Sequence, residues 1–263
     1  MENIVSDAAE WLLTARQDMR VQSNLPTSLY PDSVLQAYLV QEELVSRMSK
    51  LNDSPVIGYK LACTFAPLMK MLGTDGPFYG CLMVHSTYQN NIKLEAENFS
   101  QRIVEPEFLL EMSADLPASD EPYTAQSILP YIGDLFPSIE VVDHRYTDFT
   151  KVGVNALIAD NAIHGVSVLG EAVSDWKSFD LVTHKVDLCI NGKIKETGIG
   201  ENVLGNPLNA MAWLANTLKS RGKTLKKGDL VTTGATSPTY QAVAGDLVRG
   251  DFGQLGEVIL SFT

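Results

Sequence analysis

The chain reads as an α+β protein, with a small helical N-terminal portion over residues 1–55 packed on a β-rich, mixed-sheet body over residues 56–263. Three observations point this way. Apolar residues recur at helical spacing through the first fifty positions, the rest breaks into many short β-like runs of uneven spacing, and only two longer helical stretches interrupt those runs. Strands without regularly interposed helices argue against βαβ repetition.

In chain order, Ala8, Ala9, Trp11, Leu12, Leu13 and Ala15 form the first apolar stripe. A second helix starts near Ser33, where Ser33-Val-Leu-Gln36 has capping-box form, and Asn52-Asp-Ser-Pro55 stops it. Val56–Ala62 is β-like, and a short helix over Ala66–Leu72 ends at Gly73. Strands are expected near 103–111, 139–145, 165–169, 182–190, 193–198, 229–233, 246–251 and 256–262. Asn191-Gly192 between two of them is a two-residue hairpin signal. The two interrupting helices are expected at 124–135 and from Pro207 to Arg221, the second capped by Asn206 and ended by Gly222.

Composition bounds the function. A net charge of −12 argues against a nucleic-acid or anionic-membrane surface, since both need clustered Lys and Arg. Cys63, Cys81 and Cys189 are an odd, widely spaced set that suits reduced thiols. With an acidic opening and no run approaching the ~18 apolar residues of a membrane helix, the expectation is a cytoplasmic protein.

Three glutamates lie in apolar, strand-like sequence: Glu105 and Glu107 in Ile103-Val-Glu-Pro-Glu-Phe-Leu-Leu110, and Glu140 in Pro137-Ser-Ile-Glu-Val-Val142. Glu105 and Glu107 share a strand face. On its own, that pair reads as an ordinary half-exposed strand. Glu140, alone amid Ile139, Val141 and Val142, is harder to place in solvent. If the three meet, a hard divalent cation is the natural compensator of their charge. Lys60 is either a snorkelling edge-strand lysine or a cation near these carboxylates. His144 and His184 read as surface residues, and His85 and His164 lie near strand ends as structural histidines or as acid–base groups. Asp160-Asn161 fits an Asx turn.

Several signatures are absent. Gly198-Ile-Gly200 is followed by Val203 where the dinucleotide fingerprint needs glycine, and there is neither a phosphate-binding Walker sequence nor HExxH. Gly165-Val-Ser-Val-Leu-Gly170 is one residue too long for a nucleophile elbow, which leaves Ser167 structural.

Gly58-Tyr-Lys-Leu-Ala-Cys-Thr64, Phe78-Tyr-Gly80, Glu105-Pro-Glu107, Glu140-Val-Val-Asp143, Ala159-Asp-Asn-Ala162, Leu204–Ala210, Thr233-Gly-Ala235 and Gly253–Val258 occur in the order and spacing of one family. Over roughly residues 30–263 the chain resembles the 2-keto-4-pentenoate hydratases and 4-oxalocrotonate decarboxylases of the fumarylacetoacetate hydrolase superfamily. The resemblance implies a fumarylacetoacetate hydrolase-like catalytic domain at 56–263 and Mg²⁺ or Mn²⁺ held by Glu105, Glu107 and Glu140. It also implies a small 2-oxo acid substrate from aromatic catabolism and a homo-oligomer. Lys60 matches the family's active-site lysine, and Thr233, Gly234 and Asp160 fall in segments expected to bind substrate. The implied activity is a hydro-lyase acting on a 2-hydroxydienoate. Decarboxylation, acylpyruvate hydrolysis and non-catalytic 2-oxo-acid binding are the alternatives. The chain departs from the family pattern at His85, which stands where an acid is usual, at Ile163, which stands where serine is usual, and at Asn206, which replaces a frequent histidine. His85 is therefore an expected substitute base.

Overall fold

The computed structural model describes residues 2–263. The first two helices form as their patterns demand, α1 over Glu2–Gln17 and α2 over Val34–Asn52. Ser33 Oγ accepts the Gln36 N–H at 3.3 Å, while Gln36 Oε1 accepts the N–H of Asp32 rather than that of Ser33. No described helix is long and apolar enough to cross a membrane.

The body is two mixed sheets. The larger is built from β1 (Val56–Ala62), β2 (Phe78–Met83), β3 (Thr87–Gln89), β5 (Ile103–Met112), β6 (Ile132–Val142), β7 (His164–Leu169) and β10 (Leu230–Ala235), in the order β2-β1-β10-β5-β6-β7-β3. The two-residue β11 (Tyr240–Gln241) pairs with β5. The smaller sheet runs β4-β13-β12-β8-β9, from β4 (Ile92–Leu94), β8 (Lys185–Ile190), β9 (Lys193–Ile199), β12 (Leu247–Asp251) and β13 (Glu257–Phe262). Asn191 and Gly192 make the β8–β9 turn with φ of 51° and 76°, both in the left-handed region that this hairpin requires. The remaining helices are α3 (Ala66–Leu72), α4 (Ala125–Ile128), α5 (Val154–Ala159) and α6 (Pro207–Ser220). Gly73 ends α3 at φ 66°, and Asn206 caps α6 through the Leu208 N–H.

One expected helix is corrected. The stretch 124–135 holds only α4 and a further short turn, because Pro130 follows and Ile132 onward pairs with β5 instead. β6 consequently starts at Ile132, well before the expected 139, and stops at Val142. The short strands β3, β4 and β11 and helix α5 have too few residues to show a period, and sequence reading missed them.

The two faces of β5 have different tasks. Val104, Phe108 and Leu110 belong to the main core, where the Phe108 ring meets Phe252 edge-on at 5.5 Å. That contact ties the larger sheet to the smaller one. On the other face, Leu109 clusters with Leu82 of β2 and Leu169 of β7. Strands far apart in the sheet order meet there, so the sheet curls around an interior. One core also joins helices and sheets, with Leu12 and Leu44 in the same cluster as Phe108. We propose residues 1–55 and 56–263 as a change of architecture built on that shared core.

Phe108→Ala should therefore cost about 3–5 kcal/mol, because it empties a fully buried ring site between the sheets. Urea unfolding measures it, and a loss under ~1 kcal/mol would contradict this packing role.

Candidate active site

The interior of the curled sheet carries the glutamates. Glu105 and Glu140 face each other directly across the β5–β6 ladder, and Glu107 lies two residues along on the same face. One carboxylate oxygen from each lies within 4.8 Å of the others. Glu107 and Glu140 are buried, while Glu105 is partly exposed at the mouth. Like charges opposite one another on a ladder repel, and burial strengthens the repulsion.

The chain supplies three compensating groups. Lys60 of β1, 1 % exposed, holds its Nζ 3.0 Å from Glu140 Oε1 and 3.2 Å from Oε2. It is no snorkelling surface lysine. His164, at the start of β7, has its Nδ1 2.8 Å from Glu140 Oε1. The Gly234 N–H donates to Glu107 Oε2 at 2.8 Å. Gly234 sits where the β10–β5 register shifts, at φ 101°, and a Cβ there would lie 1.9 Å from Thr64 Oγ1. Only glycine brings that amide to the carboxylate.

Compensation is uneven. Burial disfavours ionisation of Glu140, but Lys60 and His164 outweigh it and hold its carboxyl below the usual range. Burial, then the Glu140 charge, pushes Glu105 up to about 7 against the pull of Lys60. Glu107 is driven well above its ordinary value by burial and by both neighbouring carboxylates. Glu107 Oε1, Ser167 Oγ and His164 Nε2 are buried without a hydrogen-bond partner among the described residues. Ser167 stands directly opposite Glu140 on β7. A three-carboxylate oxygen set with an orphaned buried oxygen fits a hard divalent cation.

Two cavities open on Glu105. One, of about 240 Å³, adds Thr64, Ala235, Ser237 and Thr239. The other, of about 150 Å³, contains Lys60, shares Thr239 with the first, and is otherwise walled mainly by apolar residues, among them Leu72, Phe78, Phe149, Leu157 and Ile163. Leu68 and Met71 of α3 line both, and α3 itself has no buried residue.

Not every expected residue joins this group. His85 lines a separate cavity of about 450 Å³ with Arg16, Asp143 and Arg145, and its Nδ1 lies 3.1 Å from Ser54 Oγ. The substitute-base expectation for His85 is corrected on that ground. Asp160 is buried and closed off by Arg16 and Arg145, at 2.7 and 3.3 Å. The Thr233 hydroxyl donates to Phe108 O at 3.0 Å and lines neither glutamate cavity. His144, expected at the surface, is buried, with its Nδ1 accepting the Tyr146 N–H. His164 is the residue that sequence reading undervalued. Its one available signal was the strand start two positions after Ala162, which shows in sequence only as a change of pattern.

Residues 116–262 match the family model for the C-terminal domain of fumarylacetoacetate (FAA) hydrolase. A 2-keto-4-pentenoate hydratase of Burkholderia vietnamiensis is 30% identical over 262 residues, covering 100% of this chain and 98% of that protein. The chain belongs to the fumarylacetoacetate hydrolase family. Within it, a 2-hydroxyhexa-2,4-dienoate hydratase of Comamonas testosteroni is 30% identical over 256 residues, 97% of this chain and 94% of that one. The solved 4-oxalocrotonate decarboxylase from Pseudomonas putida G7, complexed with magnesium and adipate, superposes with a TM-score of 0.92 at 26% identity, covering 100% of this chain and 98% of that chain. This fumarylacetoacetate hydrolase family member is thus an enzyme of the hydratase–decarboxylase group, and its mixed-sheet α+β fold is the family's.

The raised Glu105 carboxyl has a consequence for the metal-free protein. An unfolded glutamate loses its proton near 4.5, whereas folded Glu105 keeps it to about 7. Between those values the folded state binds more protons, so stability falls as pH rises. Relative to Glu105→Gln, the metal-free wild type should lose melting temperature progressively from about pH 4.5 to about pH 7. Paired thermal melts check this, and parallel pH profiles would contradict it.

Proposed function

We propose that the chain is a divalent-metal-dependent hydro-lyase that converts a 2-hydroxydienoate, by way of its 2-oxo-enoate tautomer, into a 4-hydroxy-2-oxo acid. The observation that carries the reading is the cation count at the site. Among the described residues, Lys60 is the only cationic side chain lining either cavity that opens on Glu105. A substrate with a single carboxylate at the metal end and an apolar tail suits that lining. A dicarboxylate would leave its second charge among Leu72, Phe78, Leu157 and Ile163.

Glu105, Glu107 and Glu140 would hold the cation, and an all-carboxylate oxygen set favours Mg²⁺ or Mn²⁺. When bound, the cation supplies Lewis-acid polarisation of a 2-oxo group and charge neutralisation for the adjacent carboxylate. The chain's own residues do the rest. The Lys60 ammonium gives a proton to carbon as the dienol becomes a ketone, and the amine so formed takes up the proton that leaves the 2-hydroxyl. Its 3.0 Å contact with Glu140 keeps the ammonium aimed at the site. The Gly234 N–H holds one Glu107 oxygen in place, leaving the other for the cation. The apolar walls pack the tail and confine water to the mouth, where it adds at C4. Thr64, Ser237 and Thr239 offer hydroxyls there. A small 2-oxo acid is the proposed partner, and a homo-oligomer is proposed from the family resemblance.

Likeness to a solved decarboxylase supports decarboxylation as the rival reading. Purified protein with Mg²⁺ is offered 2-hydroxypenta-2,4-dienoate while the dienol absorbance is followed, and products are assayed for a 4-hydroxy-2-oxo acid and for CO₂. Hydration of the dienoate is expected. CO₂ release from a 2-oxo-enedioate without dienoate hydration would replace the proposal by decarboxylation. Binding of oxalate with no turnover of any 2-oxo-enoate would leave a binding protein.

Lys60→Met should lower kcat by about 10²–10⁴-fold while the Mg²⁺-dependent rise in melting temperature persists. Glu107→Gln should abolish that rise without unfolding the chain. An undiminished kcat in the first variant, or an undiminished thermal shift in the second, would remove the assigned role.

A further inference from the structure

The connection between α5 and β7 follows an uncommon path. Asn161, Ala162 and Ile163 have φ of 51°, 51° and 52°, three successive non-glycine residues in the left-handed region. L-residues avoid runs of this conformation because Cβ crowds the following carbonyl, and such strain persists only where the surroundings enforce it. Here they do. Asn161 Oδ1 accepts the Cys81 N–H at 2.7 Å, and its Nδ2 donates to Cys81 O at 3.0 Å. A Cβ on Gly80 would lie 2.5 Å from Asn161 O, so the approach needs glycine there. On the far side, Arg16 Nη1 donates to His164 O at 3.2 Å.

The strained turn delivers His164. His164 is 3 % exposed, and its Nδ1 lies 2.8 Å from Glu140 Oε1. An ionised carboxylate only accepts, so Nδ1 is the nitrogen that carries hydrogen in this contact. Lys60 Nζ reaches both oxygens of the same carboxylate. An ammonium on a flexible stem neutralises charge without fixing rotation, whereas a buried planar ring fixes a direction.

We propose that His164 is a positioning residue for the cation site, its Nδ1–H fixing the rotation of the Glu140 carboxylate so that it converges with Glu105 and Glu107. This rests on the reading of those three glutamates as ligands of a divalent cation. The arrangement has the form by which a second residue orients a metal-binding side chain and strengthens binding. The Arg16 and Asn161 contacts hold His164 from outside the site.

Manganese(II) alone is the probe, titrated into the metal-free full-length chain and followed by loss of the free-ion electron paramagnetic resonance signal. His164→Leu, which fills the space without a donor, should weaken Mn²⁺ binding about 10–100-fold. His164→Asn places an amide N–H near the Nδ1 position and should stay within about threefold of wild type. Equal affinity in His164→Leu and wild type overturns the inference, as does His164→Asn binding as weakly as His164→Leu. Where the leucine variant does not fold, His164→Ala takes its place with the same two readings. A wild-type chain that takes up no Mn²⁺ overturns the metal reading itself, which is a different result from an unaffected variant.

Discussion

Glu105 and Glu140 stand opposite each other on a β-ladder with Glu107 beside them, and the rest of the site exists to make that placement tolerable. In water such a trio would cost little. Inside a curled sheet each ionised carboxylate loses hydration and faces its neighbours through a medium that screens poorly. One lysine, one histidine and one backbone amide answer for part of the charge, mostly at Glu140. The Glu105 and Glu107 carboxyls keep their protons well past the usual range, which is the mark of a site short of positive charge. A divalent cation would supply what is missing, and the same cation would be the Lewis acid that the proposed chemistry needs.

The fold makes this arrangement by using both faces of β5. Phe108 anchors one face to the smaller sheet, while Leu109 closes the interior with Leu82 and Leu169. Alternation along one strand therefore separates a structural side from a reactive side. The reactive side grades from acidic at the glutamates to apolar at Phe78, Leu157 and Ile163. That gradient suits a molecule with a polar head and a hydrocarbon tail, as the proposed hydration requires.

Much of this was legible in the sequence. Glu105 and Glu107 announce a shared face through strand periodicity, and Asn191-Gly192 announces its turn through the backbone conformations those residues permit. In the sequence Lys60 fits either an edge-strand surface or a place near the carboxylates, and the structure buries it against Glu140. What sequence could not convey is the set of contacts made at long range. His164 and Glu140 are brought together by the β6–β7 pairing and by a left-handed turn that no propensity favours. His85 looked close to the site because it replaces an expected acid, yet its backbone N–H bonds to Ser54 Oγ and its ring lines a different cavity. The early start of β6 has the same origin, since pairing with β5 overrides a helical pattern that Pro130 had already cut short.

The central claim is that Glu105, Glu107 and Glu140 together hold one divalent cation at the head of a 2-oxo-acid site. A crystal of the chain grown with Mn²⁺ and oxalate, with anomalous diffraction collected for manganese, tests it most directly. The expected result is one strong anomalous peak bonded to an oxygen of each of the three carboxylates and to oxalate. Oxalate bound elsewhere, or manganese absent from the three glutamates at saturating concentration, would contradict it.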